Sequence, residues 1–479
     1  MLGAGAVALA GATGLTEAAV FHQPSMLKYA LTVAGPLFLA VLLAVDQPLP
    51  LAVGLLIVAA PFTGLAMNPH GIRIPLLEPI LILGVIAAAL SRYLPLKRSA
   101  LSLAAAVLML TFVIPVVNSP GHTDVVGVLL SLFLAAYLAA RVSRRPSGFW
   151  ALVWAFVLSA TFQAGLAIWE HHTSHVINFY GSAGTQTFGS GYFFGYKGTF
   201  RPPGAFYDPI SLGNVLAIAV PLSVGLAVRE ARRGRWLGVS GALAALAVIA
   251  VGLETSLART SWIGAGIGLI ATAILLPPRP RWVVLPLLVL AVAVPALLGV
   301  FSHGSVGAQR LSSILHPLNE SGTAQGDVVR TEVWQRALST TGEHPVFGVG
   351  FGRFQRILAA ELPAAGTQGQ AQSTYLQVAV EGGIVAVVGL VAVLLALGRD
   401  LTRVIRRDRV TGAMLAGACL ALLLVWTTDV TIRYSGVAVC MGALFGMVAG
   451  RARWAAGSPE PALVITRTPR MPALPSPST

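Results

Sequence analysis

Residues 374–397 read Thr374-Tyr-Leu-Gln-Val-Ala-Val-Glu381-Gly-Gly-Ile-Val-Ala-Val-Val-Gly389-Leu-Val-Ala-Val-Leu-Leu-Ala-Leu397. As a helix this stretch is longer than the ~30 Å hydrocarbon core of a bilayer, and it carries a single charge. Similar apolar segments recur along the chain, at about 2–20, 27–45, 49–66, 75–91, 99–117, 123–141, 149–169, 207–228, 236–256, 259–277, 281–300, 410–431 and 434–450. Ten-residue alternation of the barrel kind is absent. With 56% hydrophobic residues and a mean hydropathy of +0.78, the chain reads as an all-α, polytopic integral membrane helical bundle of about 12–14 spans. The first segment is the least regular, because it contains Glu17. It also lacks the basic n-region of a signal peptide.

Working outward from 374, the preceding residues are of the opposite character. From about Phe301 to Ser373 the chain is polar and carries Arg310, Arg330, Arg336, Arg353 and Arg356, although charged residues form only 10% of the protein. A shorter polar loop occupies 170–206. The organisation expected is a bundle over 1–169, an outer loop over 170–206, spans over 207–300, a large outer loop region over 301–373, spans over 374–450, and a Pro/Ser-rich disordered tail over 451–479.

The net charge of +14 does not point to nucleic acid. The basic residues sit in short clusters: Arg92/Lys97/Arg98, Arg141/Arg144/Arg145, Arg229/Arg232/Arg233/Arg235, Arg279/Arg281, Arg399/Arg403/Arg406/Arg407/Arg409 and Arg451/Arg453. If the spans alternate, all of these fall on one side, which the positive-inside rule makes cytoplasmic. Both termini are then cytoplasmic, and the polar loops face outward from the cytoplasmic membrane.

Arginines on the outer face need an explanation other than topology. Arg201 stands at the mouth of the span beginning near Tyr207, and Arg259 lies between two apolar segments in Glu254-Thr-Ser-Leu-Ala-Arg259-Thr-Ser-Trp262. A cation at that depth is costly unless it is paired or faces a cavity, so it marks a functional position or a structural pair such as Arg259 with Glu254. Arginine suits a phosphate, because its planar fork bonds bidentately and its charge does not titrate away.

Between the loops' other features the choices are blander. The aromatic run Tyr180, Phe188, Tyr192, Phe193, Phe194, Tyr196 and Phe200 suits sugar faces as well as an interfacial belt. His171, His172 and His175 lack a carboxylate cluster beyond Glu170, and no metal or cofactor is assigned. Cys419 and Cys440 lie in apolar segments as small hydrophobes. Gly348-Val-Gly350-Phe-Gly352 lacks the Lys-Ser/Thr of a P-loop and reads as tight turns.

Five stretches, in order, resemble the O-antigen ligase and O-antigen polymerase family of bacterial membrane glycosyltransferases. They are Arg201-Pro-Pro-Gly204-Ala-Phe206-Tyr-Asp-Pro209, Ser256-Leu-Ala-Arg259-Thr-Ser, Arg330-Thr-Glu-Val-Trp334, His344-Pro-Val-Phe-Gly-Val-Gly350-Phe-Gly-Arg-Phe354 and Tyr375-Leu-Gln-Val-Ala-Val-Glu381-Gly-Gly-Ile384. The resemblance covers about 200–400. It implies transfer of a glycan from a polyprenyl-diphosphate-linked donor to a glycan or lipid acceptor at the outer face of the membrane, during surface polysaccharide assembly. In that chemistry Arg201, Arg259 and Arg330 stabilise the departing diphosphate, with Gln372 and Tyr375 beside the substrate.

One position departs from the family's pattern. Where ligases resemble His-Asn-x-Tyr-Leu, this chain has Gln372-Ser-Thr-Tyr375-Leu. A glutamine cannot accept the acceptor's proton, so His344, Asp208 and Glu381 are the candidate catalytic groups, and polymerisation is favoured over ligation. The alternative kept open is a lipid-linked oligosaccharide flippase or another transporter, which would carry its cations nearer the midplane.

Overall fold

The computed structural model describes residues 48–62, 77–90, 123–176, 199–206, 208–278, 324–361 and 370–455, together with 66–67, 74–75, 105, 108, 110 and 194–196. The segments expected at 2–20, 27–45 and 281–300, most of 99–117, the tail beyond 455, and Arg310 lie outside the described residues. Twelve helices are described: α1 (Pro48–Ala59), α2 (Leu77–Leu90), α3 (Thr123–Ser143), α4 (Pro146–Thr173), α5 (Pro209–Arg232), α6 (Trp236–Thr255), α7 (Arg259–Leu275), α8 (Ala324–Glu343), α9 (Arg353–Glu361), α10 (Thr374–Arg407), α11 (Arg409–Val425) and α12 (Ser435–Ala455). Two short antiparallel ladders, Ala66–Met67 with Ile74–Pro75 and Phe194–Tyr196 with Thr199–Phe200, are the extended pairs among the described residues. The protein is all-α and polytopic.

Among the described residues five helices are long and apolar enough to cross a membrane: α4, α5, α6, α10 and α12. Shorter apolar helices correspond to α1, α2, α3, α7 and α11. The expected span 410–431 stops earlier, since α11 ends at Val425 and a non-helical link with a 3-10 turn at Thr431–Arg433 follows. That difference removes Asp429 from the helix. The expected outer loop region also holds two helices, α8 and α9.

Helix α5 is mostly apolar and is buried over nearly its whole length, so it forms the centre of the bundle. It packs on α4, α6, α7 and α11, while α12 packs on α3 and α10. Close approach between helices comes from small residues. Gly442, Gly446 and Gly450 repeat every fourth residue of α12 and lie over the backbone carbonyls of Leu132, Ala136 and Ala140 on α3. A Cβ on Gly268 of α7 would stand 2.6 Å from the Gly417 carbonyl oxygen of α11. Small-residue seams are how helices bind one another where apolar burial alone gives no preference over lipid. On the outer surface of α7, Ile263, Ile267, Ile270 and Ile274 are exposed, a stripe suited to acyl chains.

Short connections make α3/α4, α5/α6, α6/α7 and α10/α11 antiparallel neighbours. The clusters around Arg141, Arg229, Arg403 and Arg451 therefore converge on one end of the bundle, while Arg92/Lys97/Arg98 and Arg279/Arg281 lie outside the described residues. There Arg451 meets Asp408 at 3.8 Å and lies over the rings of Phe149 and Trp454, while Arg229 stacks 4.2 Å from Trp150. Such stacking keeps partly buried guanidinium groups favourable.

At the opposite end α10 is broken. Gly383 has φ +62 and ψ −161, outside helical values. The segment after α8 fills the break. Val349 N donates to the Val380 carbonyl at 2.9 Å and Gly350 N to that of Glu381 at 3.0 Å, while Ile384 N donates to the Pro345 carbonyl at 2.8 Å. The backbone groups released by the break are thus satisfied by the inserted turn. Gly348, Gly350 and Gly352 take φ of +64, +89 and +76, left-handed values that glycine tolerates, so the glycine run is a set of tight turns as expected. A small apolar cluster of Val333, Ala337, Phe354, Leu358, Ala371 and Val380 holds α8 and α9 on α10.

Candidate functional site

The end of the bundle opposite the arginine clusters gathers most of the polar residues singled out by the sequence. The Arg201–Pro209 stretch is pinned to α4 and to the turn between α6 and α7. Glu170 of α4 accepts from Gly204 N at 2.8 Å, and Gln163 accepts from Ala205 N at 2.9 Å. Arg201 Nε donates to the Ser256 carbonyl at 3.1 Å, in the turn that leads to Arg259 at the first position of α7. That turn holds Leu257 at φ +52, a left-handed conformation unusual for leucine. Arg201 thereby reaches the short turn from which Arg259 begins α7, and both residues are half-buried.

Asp208 and Pro209 form a helix start: Asp208 is the N-cap of α5 and Pro209 its first residue. The Asp208 carboxylate accepts from Ile210 N and Ser211 N, each at 2.8 Å, and from Ser211 Oγ at 2.7 Å. Burial pushes its pKa up, against these bonds and the nearby Arg201 charge.

One turn into α5, Asn214 donates to the Asp429 carboxylate and accepts from Ser261 Oγ of α7 at 2.9 Å. Asp429 lies in the link after α11, where its backbone carbonyl accepts from Thr374 N at 3.0 Å and Thr374 Oγ1 at 2.7 Å. Burial, and next the Asp208 charge, push the Asp429 carboxyl up to about 7; bonds from Val430 and Asn214 and the Arg330 charge act the other way. Two buried carboxylates close enough to interact resist being ionised together.

Arg330 enters from α8. Its Nε donates to Gln372 Oε1 at 3.1 Å, and its charge acts on Asp429. Gln372 has φ +47, a left-handed conformation that costs a non-glycine residue energy. Tyr375 donates its hydroxyl to the Leu423 carbonyl at 2.9 Å and meets Trp426 edge-on, with ring centroids 5.8 Å apart.

The structure therefore brings together Arg201, Asp208, Arg330 and Gln372, with Arg259 and Tyr375 at the rim. Glu381 and His344 stand apart. Glu381 is fully buried at the α10 break, paired with Arg433 and accepting from Gly352 N at 2.8 Å. His344 is exposed, just past the C-terminus of α8, about 21 Å along that helix from Arg330 by helical rise. Of the outer-loop histidines, His171 donates Nδ1–H to the Phe200 carbonyl at 3.1 Å, while His172 and His175 are exposed. Among the described residues no three His, Cys, Asp or Glu side chains converge as a metal site. Cys419 and Cys440 are buried free thiols.

Asn214 and Asp429 escaped the sequence reading. The signal for Asp429 was a lone carboxylate near the end of an otherwise apolar segment, a costly placement that marks function or a buried partner. Asn214 carried no comparable signal.

Residues 244–391 match the family model described as O-antigen ligase. The matched region contains Arg259, Arg330, His344, Gln372, Tyr375 and Glu381; Arg201, Asp208 and Asp429 lie outside it. No curated protein matches the chain.

Proposed function

We propose that this membrane protein, whose residues 244–391 carry an O-antigen ligase-type domain, transfers a glycan from a polyprenyl-diphosphate carrier to an acceptor hydroxyl. The reaction occurs at the outer face of the cytoplasmic membrane, during surface polysaccharide assembly. The observation that carries the proposal is the gathering of Arg201, Arg259 and Arg330 about the buried polar groups Asp208, Asn214 and Asp429, at the end of the bundle opposite the arginine clusters.

Breaking the glycosyl–diphosphate bond places negative charge on the departing phosphate. Fixed guanidinium groups stabilise that charge where water is scarce, and they need no reorganisation as it forms. The stretch carrying Arg201 is held on α4 and on the turn after α6, Arg259 begins α7 at that turn, and Arg330 is held by the α8–α10 cluster, so the cations are pre-positioned. Donor and acceptor, both lipid-held, meet at this mouth. Since the arginine clusters occupy the other end, the positive-inside rule orients the mouth outward. With Gln372 where the ligase pattern has histidine, the favoured product is a lengthened glycan rather than one adduct.

Purified protein in detergent, given polyprenyl-diphosphate-linked oligosaccharides, is expected to release free polyprenyl diphosphate and to form a product ladder. Detergent abolishes sidedness, so a flippase or other transporter has nothing to do in this assay. Absence of release across a broad donor panel overturns the proposal in favour of transport.

A further inference from the structure

Gln372 poses a chemical problem that the fold answers. A carboxamide cannot take a proton from an acceptor hydroxyl, and its Oε1 already accepts from Arg330 Nε at 3.1 Å. We propose that Asp429 is the general base of the glycan transfer named above, on which this inference rests, standing in for a side chain at position 372. Two residues beyond Gln372, Thr374 binds the Asp429 carbonyl through both its amide and its hydroxyl, at 3.0 and 2.7 Å. The link carrying Asp429 is thereby held against the segment carrying Gln372.

The carboxylate is oriented as a base should be. Asn214 donates to one oxygen, and Ser261 fixes Asn214 in turn, at 2.9 Å. Asp429 retains 8% exposure, against 2% for Asp208 and none for Glu381. Those two carboxylates are otherwise committed: Asp208 to the α5 amides and Ser211 Oγ, Glu381 to Arg433 and Gly352 N. His344 is exposed at the far end of α8.

In the step, the acceptor O–H proton passes to the Asp429 carboxylate as the hydroxyl oxygen bonds to the anomeric carbon. The bond from that carbon to the diphosphate oxygen breaks, and the electron pair leaves with the diphosphate. Protonated Asp429 then loses its proton to water. The charged groups facing Asp429 are Asp208 at the head of α5, which favours its protonated form, and Arg330 of α8, which favours its ionised form; Asn214 and Thr374 meet it from α5 and α10.

The test measures initial polyprenyl-diphosphate release between pH 5 and 9 for wild type, D429N, D429E and D208N, alongside binding of polyprenyl diphosphate. Wild-type rate should rise with pH and level off above about 7. D429N should lose about 10²–10⁴-fold in rate, lose the pH inflection, and keep wild-type affinity for polyprenyl diphosphate. D429E should retain part of the rate with a displaced inflection, and D208N should keep an inflection. If D429N does not fold, the D429E inflection decides: displaced supports the base, unmoved overturns it. A D429N rate or inflection equal to wild type also overturns it, as does a rate loss matched by lost binding, which would make Asp429 a positioning residue. No release by the wild type removes the glycan-transfer reading itself, and the base with it.

Discussion

Glu381 and Arg433 lie 52 residues apart in sequence and form a buried ion pair across the α10 break, their side chains 0% and 8% exposed. Arg433 also lies 4.8 Å from the Phe351 ring centroid, and Glu381 accepts from Gly352 N. One carboxylate therefore joins three segments: the broken helix, the glycine turns and the link before α12.

Removing one member leaves a buried charge without its counter-ion. E381Q and R433M are each expected to destabilise the protein by about 3–5 kcal/mol. Thermal unfolding in detergent would check this. The double variant should recover part of the loss, because the cost of a lone buried charge disappears.

The break itself depends on glycine. A Cβ at Gly348 would stand 2.5 Å from the Glu381 backbone carbon and 2.6 Å from the Val380 carbonyl oxygen, and φ there is +64. G348A and G383A should each lower folded yield, while G342A, where a Cβ meets nothing within 4 Å, should be neutral or slightly stabilising. Size-exclusion profiles of the three variants would separate the cases.

The arginines of the mouth should differ in kind. If the proposed transfer is correct, R259A and R330A are expected to lower its kcat/KM by at least about 10²-fold, since in that mechanism their charge stabilises the departing diphosphate. R259K and R330K should restore only part, since lysine lacks the bidentate fork. R201A should also disturb the Ser256 turn, so its loss of activity should come with a lowered Tm. Kinetics and melting curves on the same preparations check both statements.

Orientation is open to direct measurement. Ser339 on α8 and Arg235 before α6 are both exposed and belong to opposite ends of the bundle. In whole cells a membrane-impermeant maleimide should label S339C and leave R235C untouched until the membrane is permeabilised. Both native cysteines are buried, so background labelling should be low. The reverse pattern would invert the topology.

Much of the bundle was legible in the sequence because a hydrocarbon core imposes a length and a polarity on every span. The segments at 149–169, 236–256 and 374–397 carry that imprint, and α4, α6 and α10 lie over them. The convergence of Arg145, Arg229, Arg407 and Arg451 at one end followed from alternation of spans alone. Arg201, Arg259 and Arg330 stood out because each is a cation placed where neither lipid nor topology accounts for it.

Tertiary structure decided the rest. Asp208 is a helix cap, Glu381 is a tie across a break, and Gln372 is a left-handed partner of Arg330, roles set by neighbours 29 to 52 residues away or by local geometry that residue type does not announce. Asp429 shows the reason most plainly. Its acidity is governed by burial, by Asp208 221 positions earlier and by Arg330 99 positions earlier, and it is oriented by Asn214 from a helix 215 positions away. Spans are written in sequence because each residue meets the bilayer individually. A polar site is decided by charges and donors that meet only after the helices have packed.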